Sequence, residues 1–196
     1  MILEPVLAFS HSVLEKRVQP GDIVVDATVG NGHDTLFLAK LVGPAGKVYG
    51  FDIQEIAIRR TKERLEKERA GQNVVLFHCG HEELLHRIPE KDHGKISGAI
   101  FNLGYLPKGD HTIITKPETT LKAVEGLLQI TAPGGVISIV VYEGHPGGKA
   151  EKEALLDYVQ KIDQTRARVL MYRFINQKND PPFCLAIEKT DPAPDR

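Results

Sequence analysis

Two periods of hydrophobicity alternate along the chain. Short runs that are apolar at nearly every position predict strands buried on both faces, and charged stretches with apolar residues three and four apart predict helices laid over them. Residues 5–18 predict an opening helix with Val6, Leu7, Phe9, Val13, Leu14 and Val18 on one side, ended by Pro20-Gly21. The run Asp22 to Thr28 predicts the first strand, Lys47 to Asp52 the second, Asn73 to His78 the third, Ile96 to Leu103 the fourth and Val136 to Tyr142 the fifth, the last entered through a turn at Pro133-Gly134-Gly135. Helices are predicted over 33–42, 54–70, 81–87, 117–130 and 148–163, with Pro117 in the first turn of its helix. Arg168 to Ile175 and Phe183 to Lys189 predict two final strands. The segment between them leaves no room for a crossover helix, so they pair antiparallel as a hairpin. The expected architecture is α/β: a seven-stranded, mostly parallel sheet closed by an antiparallel hairpin, with helices on both faces. One domain over 1–190 and a frayed tail over 191–196 complete that expectation.

Composition narrows the class. The chain has 196 residues, 41% of them hydrophobic and 26% charged, which suits a single globular core. No apolar run approaches the roughly 20 residues that span a bilayer. The start, Met1-Ile2-Leu3-Glu4-Pro5, lacks a basic segment followed by an apolar one, so a cytoplasmic protein with no membrane association is expected. Cys79 and Cys184 have no metal-like spacing, and His78 and His81 find no partner ligands, so no metal is expected. A net charge of −1 argues against indiscriminate nucleic-acid binding and leaves room for a local basic patch.

Candidate chemistry gathers after the strands. Asp26-Ala27-Thr28-Val29-Gly30-Asn31-Gly32-His33-Asp34 is a glycine turn between a strand and a helix start. Gly30 and Gly32 permit a tight turn and close approach of a ligand, and the helix end presents unpaired N–H groups. A dinucleotide fingerprint needs a third glycine, and Thr35 stands in its place. Asp26 and Asp34 flank the loop and would repel a pyrophosphate; they suit an ammonium and a sulfonium, the charges of S-adenosylmethionine, with Asn31 bonding its amino-acid end. A glycine turn with no ligand is the plainer alternative. Asp52, closing the second strand about 20 residues after the glycines, suits a bidentate bond to both ribose hydroxyls, or else a helix cap. Gln54 reaches the same nucleoside. After the third strand, Gly80 leaves room for a flat base and His81 stacks on it or bonds its edge, or else His81 merely starts a helix.

The reaction end falls after the fourth and fifth strands. Ile100-Phe101-Asn102-Leu103-Gly104-Tyr105-Leu106-Pro107 carries a polar residue and an aromatic, where amino-methylating enzymes of this fold carry a polar residue followed by Pro-Pro-aromatic. Asn102 accepts an N–H from a nucleophilic amine and Tyr105 packs on a base, the alternative being a strand-ending Asn and a core-edge Tyr. Tyr142-Glu143-Gly144-His145-Pro146-Gly147-Gly148 is a shaped loop in which His145, with an ordinary pKa near 6.5, is either the candidate base or part of a turn. Asn176 to Pro182 is polar and long for a hairpin, and is read as a substrate loop. The charged run from Arg59 to Arg69 is read as an exposed helix face.

Taken together, these blocks and Asn179-Asp180-Pro181-Pro182 resemble, over essentially the whole chain, a family once labelled rRNA methylases. Its members are recognised as tRNA 5-aminomethyl-2-thiouridine methyltransferases. The resemblance implies the class I methyltransferase fold and S-adenosylmethionine. It also implies methylation of the aminomethyl group on the wobble uridine of a tRNA anticodon arm, giving the methylaminomethyl form. Methylation of rRNA or of a small-molecule amine, and a non-catalytic nucleotide-binding module, are the other readings. Lys108, His111, Lys116, Lys149, Arg166, Arg168, Arg173 and Lys178 are expected as a basic rim for RNA, or else as scattered solvated charges. A homodimer is expected by analogy with other small RNA-modifying enzymes.

Overall fold

The structure is a computed structural model, and it describes residues 2–106, 113–144 and 146–191. Its elements run α1 Val6–Arg17, β1 Ile23–Asp26, α2 His33–Val42, β2 Lys47–Asp52, α3 Glu55–Lys67, β3 Val74–His78, α4 Leu84–Arg87, β4 Ile96–Asn102, α5 Pro117–Ile130, β5 Thr131–Val141, α6 Gly148–Gln160, β6 Ala167–Tyr172 and β7 Phe183–Lys189. Short 3₁₀ turns at His81–Glu83 and Glu90–Asp92 precede α4 and β4.

The strands form one seven-stranded sheet in the order β3-β2-β1-β4-β5-β7-β6. The first five are parallel; β7 runs antiparallel between β5 and β6, pairing with both. The chain leaves β1 toward β2 on one side and later returns to β4 on the other. Loops at the carboxyl ends of β1 and β4 therefore diverge and open a crevice between them.

Alternation along the central strands divides the core into two layers. Val24, Val48 and Ile100 face α1, α2 and α3, where Leu14, Val18, Leu38, Val42 and Leu65 are buried. Val25, Phe51, Phe101, Ile139 and Val141 face the opposite side, where Leu84, Leu127, Leu155 and Val159 of α4, α5 and α6 pack. Both faces of the strands are thus covered, which is why their sequence reads as unbroken apolar runs.

The strand–helix order matches the sequence reading, and three local differences have clear causes. β5 begins at Thr131 rather than Val136, because Thr131 pairs with Ile96 and Val136 with Gly98. Pro133-Gly134-Gly135 is therefore an irregularity inside the strand, with Gly134 at φ +71°, and not a turn before it. β6 stops at Tyr172, three residues short of Ile175, where its pairing with Cys184 of β7 ends. Leu7 of α1 is not core: Val6, Ser10 and Leu14 face the sheet, while Leu7 is 46% exposed at the crevice mouth.

Candidate active site

The crevice at the carboxyl ends of β1, β2, β4 and β5 holds a cavity of about 880 Å³. Of the residues expected from sequence to touch a cofactor, Gly30, Asn31, Asp34, Asp52, Gln54, Gly80 and His81 line it, as do Asn102 and Tyr105 from the expected reaction loop.

The glycine loop is held from below and from the side. Gly30 adopts φ +54° and donates its N–H to Asp52 Oδ2 at 2.9 Å, while Gln54 donates its N–H to Asp52 Oδ1 at 2.9 Å. A carboxylate has about four lone-pair positions, so each Asp52 oxygen keeps one for a ligand's hydroxyls. Burial pushes the Asp52 carboxyl upward, opposed by these two N–H groups. Asn31 lines the cavity with its amide oxygen accepting from Arg60 at 3.2 Å, and its carbonyl accepts from Arg64 Nε at 2.7 Å. Arg60 and Arg64 of α3 therefore clamp the cofactor loop, which corrects the reading of Arg59 to Arg69 as a merely solvated face.

Two expected contacts do not reach the cavity. Asp26 is fully buried, and its oxygens accept from Thr28 N at 3.1 Å and Thr35 Oγ1 at 2.6 Å. Burial first, then the charge of Asp34, pushes its carboxyl up to about 7. Asp26 is thus a strut beneath the loop. Gly32 caps α2 in the left-handed region at φ +75°, where an added Cβ would lie 2.6 Å from Thr61 Oγ1 and 3.0 Å from its Cα. It permits the packing of α2 against α3.

The adenine-side expectations change in kind. The space a Cβ would need at Gly80 is filled by the Glu82 carboxylate, so it is not left open for a base. His81 is buried, packed edge-on against Phe101 with ring centroids 5.6 Å apart. Its Nδ1 lies 3.1 Å from the Ala27 carbonyl, which assigns the proton to Nδ1 and leaves Nε2 an acceptor. Burial holds the imidazole pKa below its ordinary value, so the ring is neutral at pH 7. It offers Nε2 as an acceptor at the ring edge.

At the reaction end, Asn102 donates its backbone N–H to Thr28 Oγ1 at 2.7 Å, and its amide nitrogen donates to Asp34 Oδ2. The other oxygen of Asp34 pairs with His11 Nε2 at 2.7 Å, and the His11 ring stacks on Phe37 at 4.0 Å. This sequence of contacts, His11–Asp34–Asn102, fixes the amide so that Oδ1 is the free end; that oxygen is buried with no hydrogen-bond partner. Tyr105 is half-exposed at the cavity wall and bridges to Ile114. Pro107, Lys108, His111 and His145 lie outside the described residues.

The sequence reading missed three acidic or basic groups here. Glu143 lines the cavity almost wholly buried, with Lys152 Nζ 2.5 Å from Oε2 and Arg173 3.6 Å from Oε1, which has no hydrogen-bond partner. Glu151 is 1% exposed and accepts from two threonines. His11 reaches the site from a helix that the sequence offered only as core. The one local signal was Glu151, a charge on the same helical stripe as Leu155 and Val159.

The expected basic rim is smaller than its candidates. Arg166 and Arg168 precede or begin β6, whose register with β7 and β5 places them at the amino edge, away from the cavity. Arg166 pairs there with Glu125 at 2.5 Å, and Arg173 is engaged by Glu143. Lys116, Lys149 and Lys178 remain exposed on the cavity side. Asn179 and Asp180 in the β6–β7 link adopt φ +65° and +47°, and Asp180 lines the cavity.

The buried side-chain atoms of the described cavity wall that lack a hydrogen bond are His81 Nε2, Asn102 Oδ1 and Glu143 Oε1, the last facing Arg173 at 3.6 Å. All are acceptors, and the carboxylates of Asp34 and Asp52 stand beside them. Such a wall repels pyrophosphate and fits a ligand rich in N–H and O–H donors and carrying positive charge. Among the described residues no group of three His, Cys, Asp or Glu is arranged to hold a metal ion, and no helix is long and apolar enough to cross a membrane.

The strand order, the antiparallel β7 and a cavity at the point where the strand order reverses define the Rossmann-like class I methyltransferase fold. Within it, the chain belongs to the family described as "Putative rRNA methylase", whose model matches residues 48–188. A chloroplast tRNA (mnm(5)s(2)U34)-methyltransferase of Arabidopsis thaliana is 43% identical over 154 residues, 74% of this chain but only 56% of the plant protein. A crystal structure of the same family designation from Clostridium thermocellum superposes with a TM-score of 0.92 at 42% identity, covering 96% of this chain and 100% of that one. A Streptococcus mutans protein described as a methyltransferase, solved in complex with SAH, gives a TM-score of 0.86 at 41% identity, covering 95% and 99%.

Proposed function

We propose that the protein is an S-adenosylmethionine-dependent tRNA methyltransferase. It N-methylates the 5-aminomethyl group of the wobble (thio)uridine, giving 5-methylaminomethyl-(2-thio)uridine. The observation that carries the reading is the buried Oδ1 of Asn102, which has no hydrogen-bond partner and is fixed by the bond of its amide nitrogen to Asp34. The tRNA assignment draws on the name of the Arabidopsis relative, and the cofactor on the SAH complex of the Streptococcus relative.

In this reading Asp52, Gly30 and Gln54 hold the ribose, His81 Nε2 accepts from an N–H of the nucleoside, and Asp34 and Asn31 face the cationic end. When bound, the cofactor supplies an electrophilic sulfonium methyl group. Asn102 Oδ1 accepts an N–H of the substrate amine and turns its lone pair toward that methyl group, so that alignment supplies most of the acceleration. Tyr105 packs on the pyrimidine, and His145 is the candidate proton acceptor. Lys116, Lys149 and Lys178 contact phosphates of the anticodon arm. The exposed Leu170 and Met171 of the edge strand β6 support a homodimer.

The test is incubation with labelled S-adenosylmethionine and tRNA bearing 5-aminomethyl-2-thiouridine, followed by nucleoside analysis. Labelled methylaminomethyl product is expected. Its absence, with transfer to rRNA or to a small amine instead, overturns the substrate. Cofactor binding without transfer to any acceptor leaves only a nucleotide-binding module.

A further inference from the structure

We infer that Glu151 is a positioning residue for the transfer reaction: its buried carboxylate, through Thr115, ties Gly104, two residues after Asn102, to the first turn of α6. The inference rests on the proposed function, which gives that loop its part in the reaction.

Glu151 occupies the inward stripe of α6, four residues before Leu155 and eight before Val159, both buried. Amphipathic packing alone would put an apolar side chain there. Instead Oε2 accepts from Thr115 Oγ1 and Oε1 from Thr120 Oγ1, each at 2.6 Å. Thr115 in turn holds Gly104 at both of its backbone groups. The Gly104 N–H donates to Thr115 Oγ1 at 3.0 Å, and the Thr115 N–H donates to the Gly104 carbonyl at 3.0 Å. Gly104 sits at φ +140°, two residues after Asn102 and one before Tyr105. Through Thr120 the same carboxylate holds α5, and its own helix begins at Gly148, where the second loop of the reaction end closes.

A carboxylate this deeply buried is costly unless its oxygens are satisfied. Two hydroxyl donors and the first turn of a helix meet that need here, and among the described residues no cation pairs with it. An apolar residue of similar size would secure the packing at least as well. What the carboxylate adds is direction. The Thr115 hydroxyl already accepts the Gly104 N–H, so its single proton must point to an acceptor, and Glu151 is that acceptor. The carboxylate thereby sets the orientation of the Thr115 hydroxyl, and that hydroxyl sets the height of Gly104. Asn102 is then held by Asp34, itself braced by His11, from the cofactor half, and Gly104 two residues beyond it is held by Thr115 and Glu151 from the substrate half.

Glutamine at 151 keeps one acceptor for Thr115 and turns its amide toward the Thr120 hydroxyl, which can rotate to accept. Leucine removes the clamp. For Glu151→Leu, kcat on tRNA is expected to fall roughly 100-fold, the loss typical of a misplaced reacting group. Its SAH dissociation constant by calorimetry should stay near the wild-type value, and the amides of Gly104 and Thr115 should lose protection from hydrogen exchange. Glu151→Gln should recover most of kcat, and Thr115→Val should behave as Glu151→Leu. Tyr49→Phe, which breaks the Tyr49–Asp92 bond at the opposite edge of the sheet, serves as a control for stability loss alone. If kcat in Glu151→Leu falls only as far as in Tyr49→Phe at equal loss of Tm, or if the two amides stay protected, the inference is overturned. If Glu151→Leu does not fold, wild-type kcat and protection in Thr115→Val overturn it. A wild-type protein that methylates no tRNA fails the proposed function instead, and the exchange measurements then decide the clamp alone.

Discussion

Replacing Asp26 by Asn isolates the cost of a buried carboxylate beneath the cofactor loop. Asp26 is wholly enclosed at the end of β1, and burial, with the charge of Asp34 second, lifts its pKa from 3.8 to about 7. Between those two values the folded chain holds a proton that the unfolded chain has released. Stability therefore falls as pH rises through that window, at about 1.4 kcal/mol per pH unit. A shift of about three units amounts to a loss on the order of 4 kcal/mol from this group by pH 8. Asparagine preserves the local bonds: its oxygen accepts from Thr28 N, and its amide nitrogen donates to the Thr35 hydroxyl, which then turns. Urea unfolding of both proteins from about pH 4 to about pH 8 reads the difference directly. The stability difference, Asn minus Asp, is expected to rise by several kcal/mol across that range and to level off above about pH 7. A difference that stays flat, or that favours Asp increasingly at high pH, would refute the reasoning. It would mean that the two donors outweigh burial and keep the group ionised.

Asp52→Ala should weaken SAH binding about 100-fold by calorimetry, because two charge-assisted bonds to hydroxyls are lost; unchanged affinity would remove Asp52 from the ribose site. Asn102→Ala should lower kcat on tRNA by roughly two orders of magnitude while changing cofactor affinity only a few-fold, and the opposite pattern would move Asn102 into the cofactor shell. Gly32→Ala should cost about 2–4 kcal/mol, since alanine must adopt φ +75° and its Cβ meets Thr61 at 2.6–3.0 Å; a thermal melt matching wild type would show that α2 and α3 can part at that point.

Much of the fold was legible because parallel strands covered on both faces leave an unmistakable apolar signature, and because Arg168 to Lys189 is too short for anything but a hairpin. The start of β5 was not, since Pro133-Gly134-Gly135 is ordinary turn chemistry and only pairing with β4 draws it into the sheet. In the site, sequence marked which loops converge but not which way the side chains turn. Asp26 and Asp34 look alike beside the glycines; the strand directs one beneath the loop and the helix start presents the other to Asn102 and His11. His11, Arg60 and Glu143 were illegible for the same reason. Their partners lie on other elements, and no local period records a contact between α1 and α2 or between α3 and the cofactor loop. The rim of basic residues failed where strand direction mattered: β6 carries Arg168 to the amino edge and Arg173 to the carboxyl edge.

The position of β7 has a consequence for how the chain is made. Strand β6 leaves the ribosome first, yet its partner in the sheet is β7, which follows ten residues later and must slide in between β5 and β6. At synthesis rates of about 5–20 residues per second, the apolar segment Val169-Leu170-Met171 waits for roughly one to three seconds beside an unfinished sheet. Strands β2, β3, β4 and β5 each find a neighbour already in place, and β1 waits for β2 with α2 between them. Until β7 is placed, β5 has an open edge and β6 has no partner, and both are exposed to wrong pairing and to chaperone capture.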